Sequence, residues 1–268
     1  MSTQDNPLAD SLPTEVPLPD APLVRVIVQI RFPSILSVEK RDFVAPFQEV
    51  IRKSYPVLRA EQTRGIVLGL GPEGPAQPLP TVTWRFTSAD ERWRVSLATD
   101  FVAIETTAYQ SRSDLLGRLE EVVRTLESHI APQTVDRLGV RYIDRITGDS
   151  IDAIDKLVQP EMLGVAGTAA GKLANLSISE ALFDLPGHPA QMRARWGLLP
   201  ESSTVDPAAI EPINERSWIL DLDVFSVGSR PFESTGILSE ARFFAERSYS
   251  FFRWAVTDDF LRRYGGKV

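Results

Sequence analysis

The sequence predicts an α+β fold of predominantly antiparallel sheet packed by long helices. Three observations carry that prediction: segments of alternating apolar and polar residues, connections too short for a crossover, and two long stretches of helical periodicity. The first strand is predicted at residues 24–32, where Val24, Val26, Val28, Ile30 and Phe32 alternate with Arg25, Ile27, Gln29 and Arg31. Pro33 ends it by removing a backbone donor. Residues 43–54 carry Phe47, Val50 and Ile51 on one stripe and predict a helix, which tolerates Pro46 only in its first turn. The glycine- and proline-rich stretch 69–75, followed by Pro78 and Pro80, predicts a surface connection and a boundary.

Alternation returns at Thr81. Trp84 and Phe86, then Trp93, Val95 and Leu97, then Val102, Ile104 and Thr106 predict three sequential antiparallel strands, the first two joined by a hairpin turn at 88–91. Ser113 is the expected cap of a helix running to His129 or Ile130, with Leu115, Leu119, Val122, Leu126 and Ile130 along one face. A strand at 135–146 follows, placing Leu138, Val140 and Tyr142 opposite Arg137, Gly139 and Arg141. Further strands are expected at 173–183, 192–198 and 218–224, with a Pro-, Ser- and Glu-rich surface excursion over 200–217. A final helix spans roughly residues 240–264 and stops at Gly265-Gly266.

Strands followed by one long helix occur twice, at 81–130 and at 173–264, which allows two similar sheet-and-helix lobes produced by duplication. The expected organisation is a flexible N-terminal tail at 1–22, a first α+β lobe at 23–148, a connecting segment at 149–172 and a second α+β lobe at 173–268.

The absence of cysteine excludes disulfides, a thiolate nucleophile and cysteine-ligated metal centres. Apolar runs are broken by charge well short of the roughly 20 residues that span a membrane, and the opening residues are acidic and proline-rich. A cytoplasmic protein with no membrane association is therefore expected. A net charge of −7 argues against a generally basic surface. Of the 29 basic residues 24 are arginine, which fits either carboxylate and phosphate recognition by guanidinium forks or genomic base composition.

Several segments together carry a resemblance: Ala21-Pro22-Leu23-Val24, Gln29-Ile30-Arg31-Phe32-Pro33, Trp93-Arg94-Val95-Ser96-Leu97, Arg137-Leu138-Gly139-Val140-Arg141-Tyr142, and Leu220-Asp221-Leu222-Asp223 before an aromatic helix. The chain resembles, over nearly its whole length, a sporadically distributed family of uncharacterised prokaryotic proteins of about this size. The Arg-x-Gly-x-Arg-Tyr segment is the most recognisable part. The resemblance implies a prokaryotic origin and a shared fold, and it carries over no functional residue. Members of that family often have a histidine in the terminal helix, whereas residues 243–248 here contain none.

Candidate chemistry is sparse. The two histidines, His129 and His188, stand at a helix end and in a Pro-Gly turn, and no nucleophile-elbow motif is present. The glycine-rich loop 164–171 before Lys172 is not a phosphate loop, because Ala166 replaces the leading glycine and Leu173 the magnesium-binding hydroxyl. Asp221 and Asp223 share one strand face, and Glu180 joins them if its strand is adjacent and in register. Such a cluster would suit Mg²⁺ or Mn²⁺ in metal-assisted phosphoryl transfer or hydrolysis, with Arg193 or Arg195 stabilising developing negative charge. A solvated face with cross-strand ion pairs explains the same acids.

Same-face arginine pairs, namely Arg25 with Arg31, Arg137 with Arg141 and Arg193 with Arg195, would form a guanidinium array for a partner, a phosphate ligand or RNA, unless Asp144, Asp221 and Asp223 neutralise it. Trp84, Trp93, Trp196 and Trp218 have the parity of the buried side, which leaves that array without rings for base stacking. The terminal helix bears Phe243, Phe244, Tyr249, Phe251, Phe252, Trp254, Phe260 and Tyr264 on more than one stripe, fitting either core packing or a homodimer interface. The preferred reading is a non-catalytic binding or accessory protein acting through a protein partner. The metal-dependent enzyme and the RNA-binding protein are its alternatives.

Overall fold

The computed structural model describes residues 6–63 and 81–267, so the boundary expected at 69–80 lies outside the described residues. In chain order come β1 (Leu23–Arg31), α1 (Arg41–Ile51), β2 (Val57–Thr63), β3 (Thr81–Thr87), β4 (Trp93–Ala98), β5 (Phe101–Thr106) and α2 (Arg112–His129). The two-residue β6 (Thr134–Val135) and the long β7 (Arg137–Ile146) follow. Three single-turn helices, α3 (Asp149–Asp152), α4 (Ile154–Leu157) and α5 (Pro160–Leu163), then lead to β8 (Ser177–Asp184), β9 (Ala190–Leu199) and β10 (Ser217–Ser226). The chain ends with β11 (Arg230–Pro231), α6 (Ser234–Ala255) and α7 (Asp258–Arg263).

Nine strands form one antiparallel sheet in the order β2-β3-β4-β5-β1-β7-β10-β9-β8. The protein is thus α+β with an antiparallel sheet and packed helices. Each run of strands starts at the sheet centre, continues at an edge, and returns through antiparallel neighbours to lie beside its own first strand before a long helix. The two runs meet where β1 pairs with β7, with Val28 opposite Val140 and Ile30 opposite Leu138.

Alternation sets one sheet face against the helices. Val26, Val28 and Ile30 of β1, Leu138 and Val140 of β7, and Trp218, Leu220, Leu222 and Val224 of β10 are buried there with Phe244 and Phe251 of α6. At the usual increment of about 25 cal/mol per Å² of apolar surface, this layer is the main source of stability. Ser111, two residues before the expected Ser113, caps α2 by accepting a 3.1 Å bond from the Asp114 amide. Trp84 donates its indole N–H to the Val38 carbonyl at 2.7 Å and pins the 3₁₀ turn before α1 to the sheet.

Four local features differ from the sequence reading. Strand β2 was not evident, because its residues Val57 to Thr63 are a mixed edge-strand run with little apolar alternation. Pro46 lies in the second turn of α1, where it deprives the Asp42 carbonyl of its helical partner; both residues are exposed, so water can serve that carbonyl. The terminal helix is two helices: Val256 is extended and bridges to Val158, and Thr257 caps α7 by accepting from the Phe260 amide. Finally, residues 6–22 are not detached from the body. Leu8, Val16 and Leu18 pack on the core, the Tyr249 hydroxyl accepts from the Val16 amide at 2.7 Å, and Arg247 donates to the Asp10 carbonyl at 3.0 Å.

Candidate functional site

The outward sheet face carries the residues singled out in the sequence, and register brings most of them together. Asp223 stands opposite Arg141 on one side and Arg193 on the other, while Asp221 stands opposite Arg195, which in turn faces Glu180. These groups neutralise one another. Arg141 grips both oxygens of Asp221 at 2.7 and 2.8 Å, Arg137 and Arg193 share one oxygen of Asp223 at 2.8 and 3.1 Å, and Arg195 holds Glu180 at 2.7 Å. Arg31, farther along, pairs with Asp100 at 2.7 Å, and Arg25 donates to the Ala208 carbonyl at 3.4 Å. Asp221 and Asp223 are 4% and 5% exposed, so these pairs are largely shielded from water.

The 200–217 excursion closes over this face. Ile210 and Ala209 pack on Ile143, with Val24 and Ile27 beside them, as a small second core. Asp206 gives Arg141 a second carboxylate at 2.7 Å. Burial opposes the Arg141 charge, but the Asp221 and Asp206 carboxylates outweigh it and raise its pKa above the ordinary arginine value. The acids expected to gather around Mg²⁺ or Mn²⁺ are therefore committed to arginines, and among the described residues no three His, Cys, Asp or Glu side chains are grouped to hold a metal ion.

Asp144 is not on this face. It follows Leu138, Val140 and Tyr142 in parity and points to the helix side, where it is 6% exposed and lines a cavity of about 330 Å³. Its register partners are Leu23 and Leu220, both apolar. A bulge at Val24 lets Val24 join the outer small core while Leu23 turns inward to the cavity. Among the described residues nothing donates a hydrogen bond to the Asp144 carboxyl and no cation lies within ion-pair distance. Burial alone raises its pKa to about 7.

Five pieces of the fold enclose the cavity: residues 15–23 at the N-terminal side, the end of β7, Leu222 of β10, the loop entering α2, and α6. Tyr109 and Tyr142 meet edge to face with ring centres 5.6 Å apart, and Tyr249 and Phe252 supply rings from α6. Burial raises the pKa of both Tyr109 and Tyr142, which keeps their hydroxyls protonated at neutral pH. At the rim Arg112 bridges Glu15 and Glu246, each at 3.6 Å, fastening the N-terminal segment to α6. Both lining serines are engaged elsewhere: Ser111 caps α2, and Ser248 donates to the Phe244 carbonyl at 2.9 Å. The cavity thus offers one buried carboxyl, Asp144, in a largely aromatic and aliphatic shell, with the Arg112–Glu15 pair at its rim.

No protein-family model matches the chain, and no curated protein matches it. The cavity was missed in the sequence because its wall comes from a segment read as a tail. One signal was available: the alternation that buried Leu138, Val140 and Tyr142 also buries Asp144. The aromatics of the terminal helix, read as either core or interface, are all at least half-buried within the chain, with the N-terminal segment covering Tyr249.

Two outcomes follow for stability. In the fold Asp144 holds its proton up to about pH 7, against 3.8 for the ordinary group, so between those values the folded state binds the extra proton and stability falls as pH rises. Urea unfolding from about pH 4 to about pH 8 is expected to show that fall, and Asp144→Asn to abolish it, with a gain on the order of a few kcal/mol at the upper end. On the outer face, Arg141→Ala strands buried Asp221 and is expected to cost roughly 3–5 kcal/mol. Arg193→Ala leaves Asp223 held by Arg137 and should cost under about 1 kcal/mol in the same assay.

Proposed function

We propose that this chain is a non-catalytic binding protein whose ligand occupies the Asp144 cavity and joins an apolar body to an ammonium-type head. One observation carries the reading: a carboxyl buried at the cavity wall with no partner of its own among the described residues. A cationic head supplies the missing charge, and the rings of Tyr109, Tyr142, Tyr249 and Phe252 add cation–π attraction and apolar contact. The volume of about 330 Å³ falls in the range of small-molecule sites. The metal-assisted reading requires free carboxylates and the RNA reading a run of free guanidiniums. On β7, β9 and β10 these groups satisfy one another instead.

A second reading, association with another protein chain, rests on β8. This edge strand exposes one row of backbone groups, with Leu182 and the preceding Leu176 each 59% exposed and Leu173 87% exposed. The partner that fits is a second copy, adding its own β8 in antiparallel register to extend the sheet.

Calorimetric titration with naphthylmethylammonium at about pH 8 is expected to show saturable binding, at least about tenfold tighter than the neutral naphthylmethanol, with the preference lost in Asp144→Asn. Equal affinity for amine and alcohol, or an unaffected variant, would refute the cavity reading. Light scattering bears on the second copy: a dimer that becomes monomeric on Leu182→Lys supports it, and a monomer at all concentrations removes it.

A further inference from the structure

The outward face carries arginines of two kinds, those held by carboxylates and those without one. On β7, β9 and β10 Arg137, Arg141, Arg193 and Arg195 each have a carboxylate. On the β2–β5 side, four guanidiniums converge on a recess of about 230 Å³ lined by Arg25, Arg59, Arg92 and Arg94. Strand register builds this convergence. Trp93 and Val95 are buried in the helix layer, so Arg92 and Arg94 point outward; Val26 and Leu58 face the core in the same way and turn Arg25 and Arg59 outward.

Arg94 lies between Thr87 and Glu105 of its neighbouring strands, and Thr87 in turn pairs with Val57. The Thr107 amide donates to the Arg92 carbonyl at 3.3 Å and brings that arginine beside the end of β5. Thr87 and Thr107 therefore lie among the four arginines on the recess surface.

The charge there is not balanced. Of the lining residues four are arginines and two, Glu91 and Glu105, are acids, giving +2 (4 − 2) in a chain whose net charge is −7. Arg94 pairs with Glu105, yet its buried Nε has no partner among the described residues. Among the described residues Arg25, Arg59 and Arg92 have no carboxylate at ion-pair distance. Crowding like charges in a concave surface raises the potential there and favours a counter-anion.

We propose that this recess binds a small phosphate anion, with the Arg59 and Arg92 forks taking its oxygens and the Thr87 and Thr107 hydroxyls donating to them. Guanidinium forks match tetrahedral phosphate oxygens in pairs, which favours phosphate over a monovalent halide. Among the described residues no aromatic side chain lines the recess, so it offers no platform for a nucleobase and is suited to the phosphate group itself. The site lies across the sheet from the Asp144 cavity and is independent of it.

The test is calorimetric titration of the full chain with inorganic pyrophosphate at low salt and neutral pH, with citrate as the carboxylate control. Saturable pyrophosphate binding is expected, weakened at least about tenfold by Arg59→Gln or Arg92→Gln and unchanged by Arg193→Gln on the paired half of the same face. Because Arg59 and Arg92 are exposed and without a carboxylate, their variants should keep the parental unfolding midpoint, which separates lost binding from lost folding. Three results would overturn the assignment: no saturable binding, citrate bound as tightly as pyrophosphate, or equal weakening by Arg193→Gln.

Discussion

The antiparallel pairing of β1 with β7 is the constraint from which the arrangement of this molecule descends. Among the described residues it is the only junction between two sets of strands that otherwise hydrogen-bond among themselves, and it fixes which face each set presents to the helices. Side chains alternate with a period of two, so a slip of one residue at this seam would turn the valines and isoleucines of one half toward water and its arginines toward α2 and α6. Burial of Val26, Val28, Ile30, Leu138 and Val140 on one side makes such a slip costly. The bulge at Val24 is confined to the end of the seam, where it redirects Leu23 without disturbing the pairs beyond it.

From that seam follow two faces with opposite electrostatic solutions. The outer face over β7–β10 keeps Asp221 and Asp223 beside arginines in ion pairs, largely shielded from water. The inner face is apolar and tolerates a carboxyl only by holding it protonated over much of the acidic range, which is the situation of Asp144. Charge on this protein is therefore sorted by dielectric environment as much as by partner. The sorting is incomplete in the cavity of the inner layer and in the arginine recess of the outer one.

Much of the fold was legible because alternation is a local signal. Val24 to Phe32, Trp93 to Leu97 and Trp218 to Val224 each declare a strand and its buried side, and the stripe from Leu115 to Ile130 declares a helix. The face shared by Asp221 and Asp223 followed from the same rule. What alternation does not contain is strand order, and strand order decides that Asp221 and Asp223 meet arginines on both flanks. Edge strand β2, half-polar on both sides, gave no periodic contrast. The packing of residues 6–22 depends on Tyr249 and Arg247, more than two hundred positions away, and no local pattern reports contacts of that range. The break at Val256 was announced by Thr257-Asp258-Asp259, a cap followed by two acids, but the aromatic run hid it.

The N-terminal segment has a consequence for time as well as for shape. It forms one wall of the cavity, yet its side-chain fastenings near the opening are a rim ion pair at Glu15 and two hydrogen bonds at Tyr249, all near the surface. Bonds of that kind break singly and often, whereas the sheet and α6 forming the opposite wall open only with the core. Entry and departure of anything held inside would then be timed by the peeling of this one segment, and its residence would be set by the anchoring of Glu15 and Val16. How tightly Asp144 holds a ligand and how long the ligand stays are thus assigned to different parts of the chain.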